Sequence, residues 1–157
     1  MMDVEKAFGK IASLCARQEM CASDIRKKLL KWEMPHADAE KVVARLISEK
    51  FIDDARYAGF YVRDKYRFNK WGKDKIRWQL RLKSISDEVI NEALASIPDE
   101  EYSNNLQQLL KTKNRQLKQD DPYKRKAALM RYAASRGFKS DEIANALKNL
   151  LLMEDDF

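Results

Sequence analysis

The chemically distinctive residues of this chain are the cationic and aromatic side chains between Tyr61 and Lys83. This segment holds nine Lys and Arg residues against two Asp residues, a net charge of +7. The whole chain of 157 residues has a net charge of +6, so the rest of the chain sums to −1. One sign of charge, interleaved with Tyr, Phe and Trp, favours binding to a polyanion or to an acidic groove on another protein.

Helical periodicity places these cations on shared faces. Lys73, Arg77 and Arg81 recur every fourth residue, so they would line one side of a helix, and the arginines between Arg56 and Arg67 would share a face of the preceding helix. Charged helix faces are often only solvated, but the concentration of one sign of charge favours a binding surface here. The candidate contacts for a partner protein or DNA are Arg56, Arg63, Arg67, Lys70, Lys73, Arg77 and Arg81.

Residues suited to catalysis or metal binding are few and isolated. The four glycines are scattered, which excludes a Gly-rich phosphate loop. Asp53 and Asp54 lie at a predicted helix start, where exposed N–H groups stabilise negative charge, so capping is favoured over metal or acid–base chemistry. One histidine, His36, and two cysteines argue against a Cys/His zinc site. The sequence predicts a non-enzyme with no catalytic residue, no cofactor and no metal.

The composition favours a helical cytoplasmic protein. Four Gly and three Pro are too few for the turns of a β-rich fold. No window approaches the roughly 18 apolar residues of a membrane span, and residues 1–6 do not begin a secretory signal. Two cysteines do not form a disulfide framework in a chain of this length, so we expect the cytoplasm and no membrane contact.

Apolar residues spaced three and four apart predict nine helices. Their predicted starts lie near residues 4, 22, 36, 54, 73, 87, 99, 122 and 141. Asp121 is a predicted N-cap, and Gly137 a predicted left-handed cap after the eighth helix. The residues predicted to face inward in the first three helices are Val4, Ala7, Phe8, Ile11, Leu14, Cys15, Ile25, Leu29, Leu30, Ala39, Val42, Val43, Leu46 and Ile47.

The nine helices repeat as three units of three. Residues 25–29 correspond to residues 76–80, and residues 86–91 correspond to residues 140–145. Each unit has a tight turn followed by an apolar residue, which is Met34, Ile85 or Phe138. One such unit buries little surface, so neighbouring units must pack on each other.

We therefore predict an all-α protein, a tandem array of three three-helix modules that is elongated or curved. The modules are residues 1–50, residues 51–97 (the basic module) and residues 98–157, the last with a short acidic tail at Glu154-Asp155-Asp156. The alternative is one compact bundle in which the repeats are coincidental.

The centre of the chain resembles the signature of the RecX family of regulatory proteins. The resemblance is carried by residues 51–58 (FIDDARYA), by residues 61–63 (YVR), and by residues 71–76 (WGKDKI) followed by Leu80. It extends over most of the chain, from about residue 5 to residue 150. An acidic cap, aromatic residues, a Trp-Gly break and a basic helix in fixed order make the central motif fairly specific.

The resemblance implies three tandem three-helix modules that bind in the helical groove of the RecA–DNA filament. It also implies modulation, usually inhibition, of the filament's ATPase, growth and strand exchange in recombination and DNA repair. The expected partners of this monomer are the RecA filament and single- or double-stranded DNA. The motif residues expected to shape the junction between modules are Asp53, Asp54, Tyr57, Tyr61, Trp71 and Gly72.

Two residues depart from the family pattern. Ser84 stands where the family often has glycine, which predicts a different cap at that helix end. Cys21 stands where a capping Ser or Thr is common, with Ser23 close by. Neither residue belongs to the basic surface.

Two other functions fit the same residues. A stand-alone DNA-binding protein of helix-turn-helix-like modules would bind DNA without a recombinase, with an affinity that falls steeply with salt. A scaffold for some other protein would bind neither DNA nor a recombinase.

Overall fold

In a computed structural model, the described part of the chain consists of helices joined by turns and short loops. The described residues are 2–155, with side chains described from Met2 to Leu150. This part of the chain forms nine helices and no strand. The helices are α1 (Val4–Cys15), α2 (Ala22–Lys31), α3 (His36–Ser48), α4 (Asp54–Arg67), α5 (Lys73–Leu82), α6 (Asp87–Ala95), α7 (Asp99–Gln116), α8 (Pro122–Ser135) and α9 (Ser140–Asp155). Within the described range, none of them has both the length and the apolar character needed to cross a bilayer.

The helices pack into two compact units. The N-terminal unit comprises Met1–Phe60 and Leu80–Ile90, and the C-terminal unit comprises Tyr61–Gln79 and Asn91–Phe157. Helices α4 and α5 each contribute residues to both units. The all-α class is confirmed, whereas the division into three modules with the boundaries given above stays a prediction.

The core of the N-terminal unit forms where α1 and α2 pack on α3. Its fully buried side chains include Ile11, Ile25, Leu29, Val42, Leu46 and Ile52. Two inward predictions were wrong, because Leu30 is 72% exposed and Ile47 is 51% exposed. Each of them directly follows a buried leucine, and one residue step turns a helix by about 100°, which carries the side chain off the packed face.

In the C-terminal unit, α7, α8 and α9 contact one another in pairs. The buried side chains of these helices include Leu106, Leu110, Leu129, Ala133, Ile143 and Leu147. Asp121 caps α8 as predicted, since its carboxylate accepts hydrogen bonds from the N–H groups of Tyr123 and Lys124. The side chains of the predicted acidic tail lie outside the described residues.

Three tight turns of the same design follow α2, α5 and α8. In each, one residue takes a left-handed conformation: Glu33 (φ 59°), Ser84 (φ 59°) and Gly137 (φ 100°). The next residue is buried and donates its N–H to a carbonyl five residues back, as in a Schellman cap. These bonds join Met34 to Leu29, Ile85 to Leu80 and Phe138 to Ala133, at 3.2, 3.3 and 3.3 Å. The expectation of a different cap at Ser84 was therefore wrong.

A glycine at position 84 should stabilise the protein. The left-handed conformation costs a non-glycine residue about 1 kcal/mol, so Ser84→Gly should raise the free energy of unfolding by up to about that amount. The matched control is Ser103→Gly, an exposed position inside α7, which should lower the free energy of unfolding by about 0.5 kcal/mol. Urea unfolding of both variants measures the difference, and equal losses in both would contradict the cap.

Candidate binding surface

In the C-terminal unit, the basic segment runs from the end of α4 through residues 68–72 into α5. Lys70 adopts a left-handed φ of 53°, and the N–H of Trp71 then closes the helix end on the carbonyl of Lys65 at 3.1 Å. The Trp71 ring has two ammonium groups near its centroid, from Lys65 at 5.0 Å and Lys75 at 4.5 Å. Cation–π attraction therefore helps to fix the Trp71 side chain and its neighbouring cations on a closed helix end.

Gly72 lies against the backbone of the turn that follows α8. Its N–H donates to the carbonyl of Arg136 at 2.6 Å, and the N–H of Asp74 donates to the carbonyl of Gly137 at 3.1 Å. A Cβ atom at position 72 would lie 2.3 Å from the carbonyl carbon and oxygen of Gly137. This distance is too short for any side chain, so only glycine fits at this position. Gly72 thus positions the start of α5 by close backbone contact.

The first N–H group of α5 is capped by a side chain from α7. The N–H of Lys73 donates to the Tyr102 hydroxyl at 2.9 Å, and the Lys73 ammonium lies 4.9 Å from the Tyr102 ring centroid. Burial raises the pKa of Tyr102 above its ordinary value. The end of α4 is held in a similar way, because the Tyr66 hydroxyl donates to Glu101 at 2.9 Å and Asn105 donates to the Tyr66 carbonyl at 2.7 Å.

In the N-terminal unit, the first N–H group of α2 is also capped by a side chain from another helix. Cys21 precedes this helix without a side-chain capping bond, and the N–H of Ala22 donates instead to the Asp54 carboxylate at 3.0 Å. The Ser23 hydroxyl donates to the carbonyl of Lys83, at the end of α5, at 2.6 Å. The Lys83 ammonium forms a half-buried ion pair with Asp24 at 2.8 Å. A residue of α4 and the end of α5 thus complete the first turn of α2.

Arg56 is engaged by its own unit. Its guanidinium pairs with Glu19 at 2.9 Å and donates to the backbone carbonyls of Lys50 and Phe51 at 3.4 and 3.1 Å. Asp53 accepts from the N–H of Arg56 at 3.1 Å and so caps α4 itself. These bonds assign Arg56 and Asp53 a local structural role.

The predicted motif tyrosines of α4 are both half-buried. The Lys83 ammonium lies 5.9 Å from the Tyr57 ring, and the Lys65 ammonium lies 5.4 Å from the Tyr61 ring. Burial raises the pKa of the Tyr57 hydroxyl. Each ring therefore helps to hold a lysine stem in place.

The other predicted contact residues present charge at the surface. Arg77 pairs with Asp74 at 3.0 Å, and Arg81 pairs with Asp87 at 2.8 Å. Surface ion pairs of this kind contribute about 0–1 kcal/mol, so a partner's carboxylates or phosphates can replace them at little cost. Arg67 bonds the Tyr66 hydroxyl through Nε at 3.1 Å. Arg63 and Arg67 are exposed, while Lys70 and Lys73 are half-buried.

Three exposed apolar side chains lie in the basic segment but are not among the candidate contact residues named from the sequence. Phe68 is 80% exposed, Trp78 is 60% exposed and Leu82 is 56% exposed. Periodicity could have identified Trp78, because it lies two residues from both Ile76 and Leu80 and therefore on the opposite side of α5 from the core. Exposed aromatic residues among arginines are the usual composition of a protein-binding hot spot.

Two protein-family models match this chain, and the first of them covers the basic segment. The family model for "RecX, second three-helix domain" matches residues 53–94, and the model for "RecX, third three-helix domain" matches residues 99–147. The N-terminal helices lie outside both matches.

The regulatory protein RecX of Clostridium acetobutylicum is 35% identical over 131 residues, which cover 81% of this chain and 60% of that protein. The regulatory protein RecX of Chlorobium phaeobacteroides is 33% identical over 148 residues, 94% of this chain and 95% of that protein. The chain thus spans three-fifths of the first relative and nearly all of the second. A crystal structure of a regulatory protein RecX superposes with a TM-score of 0.83 and 26% identity, covering 90% of this chain and 71% of that one.

Removing the Asp54 carboxylate should destabilise the N-terminal unit. Asp54→Ala leaves the Ala22 N–H without its acceptor, so we expect the free energy of unfolding to fall by about 1 kcal/mol. Asp54→Asn is the matched control, because its amide oxygen can still accept that bond. Urea unfolding distinguishes the two, and an Asp54→Ala protein as stable as the parent would show that the capping bond contributes nothing.

Proposed function

This chain belongs to the RecX family of regulatory proteins, and from that premise we propose that it binds the RecA–DNA filament and inhibits it. The affected activities are ATP hydrolysis, filament growth and strand exchange in recombination and DNA repair. The proposed mode of action is binding alone, by a monomer in the cytoplasm, without a catalytic residue or a cofactor.

The observation that supports this proposal is the exposed surface of the basic segment. In the C-terminal unit the segment presents the cation Arg77 with the uncovered side chains of Phe68 and Trp78, and in the N-terminal unit it presents Arg81 and Leu82. An acidic protein surface with apolar recesses complements both features, since the cations steer association and the aromatic side chains supply apolar burial.

The proposed mechanism is a shift between filament states. A filament that hydrolyses ATP exists in more than one conformation, and a ligand that binds one conformation better increases its population. A protein bound in the filament groove would also obstruct the entry of a second DNA molecule. Both effects require only that the surface be held rigidly, which the backbone contacts of Gly72 and the capping of α5 by Tyr102 provide.

The second candidate is direct DNA binding through the same helices. The net charge of +7 between Tyr61 and Lys83 favours it, because cations that replace counterions on phosphate give affinity for any nucleic acid. Exposed aromatic residues also occur in single-strand binding, where bases stack on them. This candidate predicts binding to DNA without a recombinase and a steep loss of affinity with salt.

Charge reversal on α5 tests the proposed surface. The triple variant Lys73→Glu, Arg77→Glu and Arg81→Glu should abolish binding to RecA filaments and leave the helical circular dichroism signal unchanged. The matched control reverses three exposed lysines outside the segment, Lys6, Lys41 and Lys118, which makes the same change in net charge. We expect the control to retain binding within about threefold, since charges outside the contact surface act mainly on encounter rates. Undiminished binding by the α5 variant would remove this surface from the proposed function.

A further inference from the structure

We propose that α2 carries a second contact surface for the protein partner that α5 binds, an inference that rests on the proposed function above. Both helices end in a turn of the same type. Glu33 after α2 and Ser84 after α5 each adopt the left-handed conformation. Counting back from those residues aligns the outward positions of one helix with those of the other. The aligned pairs are Arg26 with Arg77, Lys27 with Trp78, Leu30 with Arg81, and Lys31 with Leu82.

The outward face of α2 has the same chemistry as that of α5, although the order of residues differs. Each helix contains four cations and one aspartate, a net charge of +3. On α2, Lys27 and Lys31 are exposed, and Leu30, at 72%, is more exposed than Trp78 or Leu82 on α5. Arg26 forms a surface ion pair with Glu40 at 2.8 Å, comparable to the pairs of Arg77 and Arg81.

Helix α8, which ends in a turn of the same type at Gly137, shows that the fold does not require an outward face of cations and exposed apolar side chains. The equivalent outward positions of α8 are Met130, Arg131, Ala134 and Ser135. They contain one cation, and none of them is among the exposed large apolar side chains of the described residues. Since α8 ends in the same turn without such a face, Lys27, Leu30 and Lys31 are not explained by helix packing.

A shallow cavity beside Leu30 indicates the kind of partner. It has a volume of about 210 Å³, with Met34 and Ala39 among its lining, and it is bordered by Arg26, Lys27, His36 and Glu40, the last being the ion-pair partner of Arg26. An apolar side chain flanked by carboxylates would fill the cavity and meet the cations around it. A phosphate backbone would use the cations but would leave the cavity and Leu30 without a partner. The occupant is therefore an acidic protein surface with a protruding apolar residue, on a protomer of the same filament.

The test compares three variants for binding to RecA filaments formed on single-stranded DNA and, in parallel, to that DNA alone. The α2 variant combines Lys27→Glu, Leu30→Ala and Lys31→Glu. Leu30→Ala alone isolates the apolar contact, and Lys6→Glu with Lys41→Glu is the charge-matched control. All the substituted side chains are exposed, so circular dichroism and urea unfolding should show the parent fold.

We expect the α2 variant to bind filaments about tenfold more weakly, Leu30→Ala to bind severalfold more weakly, and the control to change by less than about twofold. Parent-like binding by the α2 variant, with binding lost in the α5 triple variant, would overturn the second surface and leave the proposed function intact. Parent-like binding by both would overturn the proposed function as well. If Leu30→Ala has no effect while the charge reversals weaken binding to naked DNA equally, α2 binds phosphate, and the protein assignment is wrong.

Discussion

The structure depends on how the first turns of α2 and α5 satisfy their backbone N–H groups. A helix start leaves up to four such donors without partners, and short helices have few other bonds to offset the loss. In the N-terminal unit the partner is the Asp54 carboxylate, and in the C-terminal unit it is the Tyr102 hydroxyl. In both units, the start of the helix also contacts carbonyl groups from the turn that ends another helix. These carbonyls belong to Lys83 in the N-terminal unit and to Arg136 and Gly137 in the C-terminal unit. The partial negative charge of one helix end thus meets the partial positive charge of another start.

These end-to-end contacts explain the most specific part of the sequence motif. Gly72 is required because the backbone of residues 136–138 occupies the space of its Cβ atom. Asp54 does not cap its own helix, which Asp53 already does, and is instead available to α2. The motif therefore fixes where α4 and α5 lie within each unit, and this arrangement determines where the cations and Trp78 of α5 are presented.

Much of the fold followed from the sequence, because period and capping chemistry are local properties. The nine helices, the Asp121 cap and the left-handed turn at Gly137 all depend on residues within a few positions of each other. The capping of α2 by Asp54 and of α5 by Tyr102 was not predictable, because each capping side chain is distant in sequence from the N–H group whose hydrogen bond it accepts. The separations are 32 residues for Asp54 and Ala22 and 29 residues for Tyr102 and Lys73. Leu30 and Ile47 were misplaced because periodicity alone does not give the width of the packed face. On the binding surface, the charge cluster was evident from composition, but the engagement of Arg56 and the exposure of Phe68 required coordinates.

We propose that this protein acts on a recombinase filament by binding it. The most direct measurement is single-stranded-DNA-dependent ATP hydrolysis by the cognate RecA, titrated with this protein after filaments have formed, together with DNA binding in the absence of RecA. We predict loss of hydrolysis at protein concentrations too low to coat the DNA. Unchanged hydrolysis, with tight binding to DNA alone, would contradict it and identify a stand-alone DNA-binding protein.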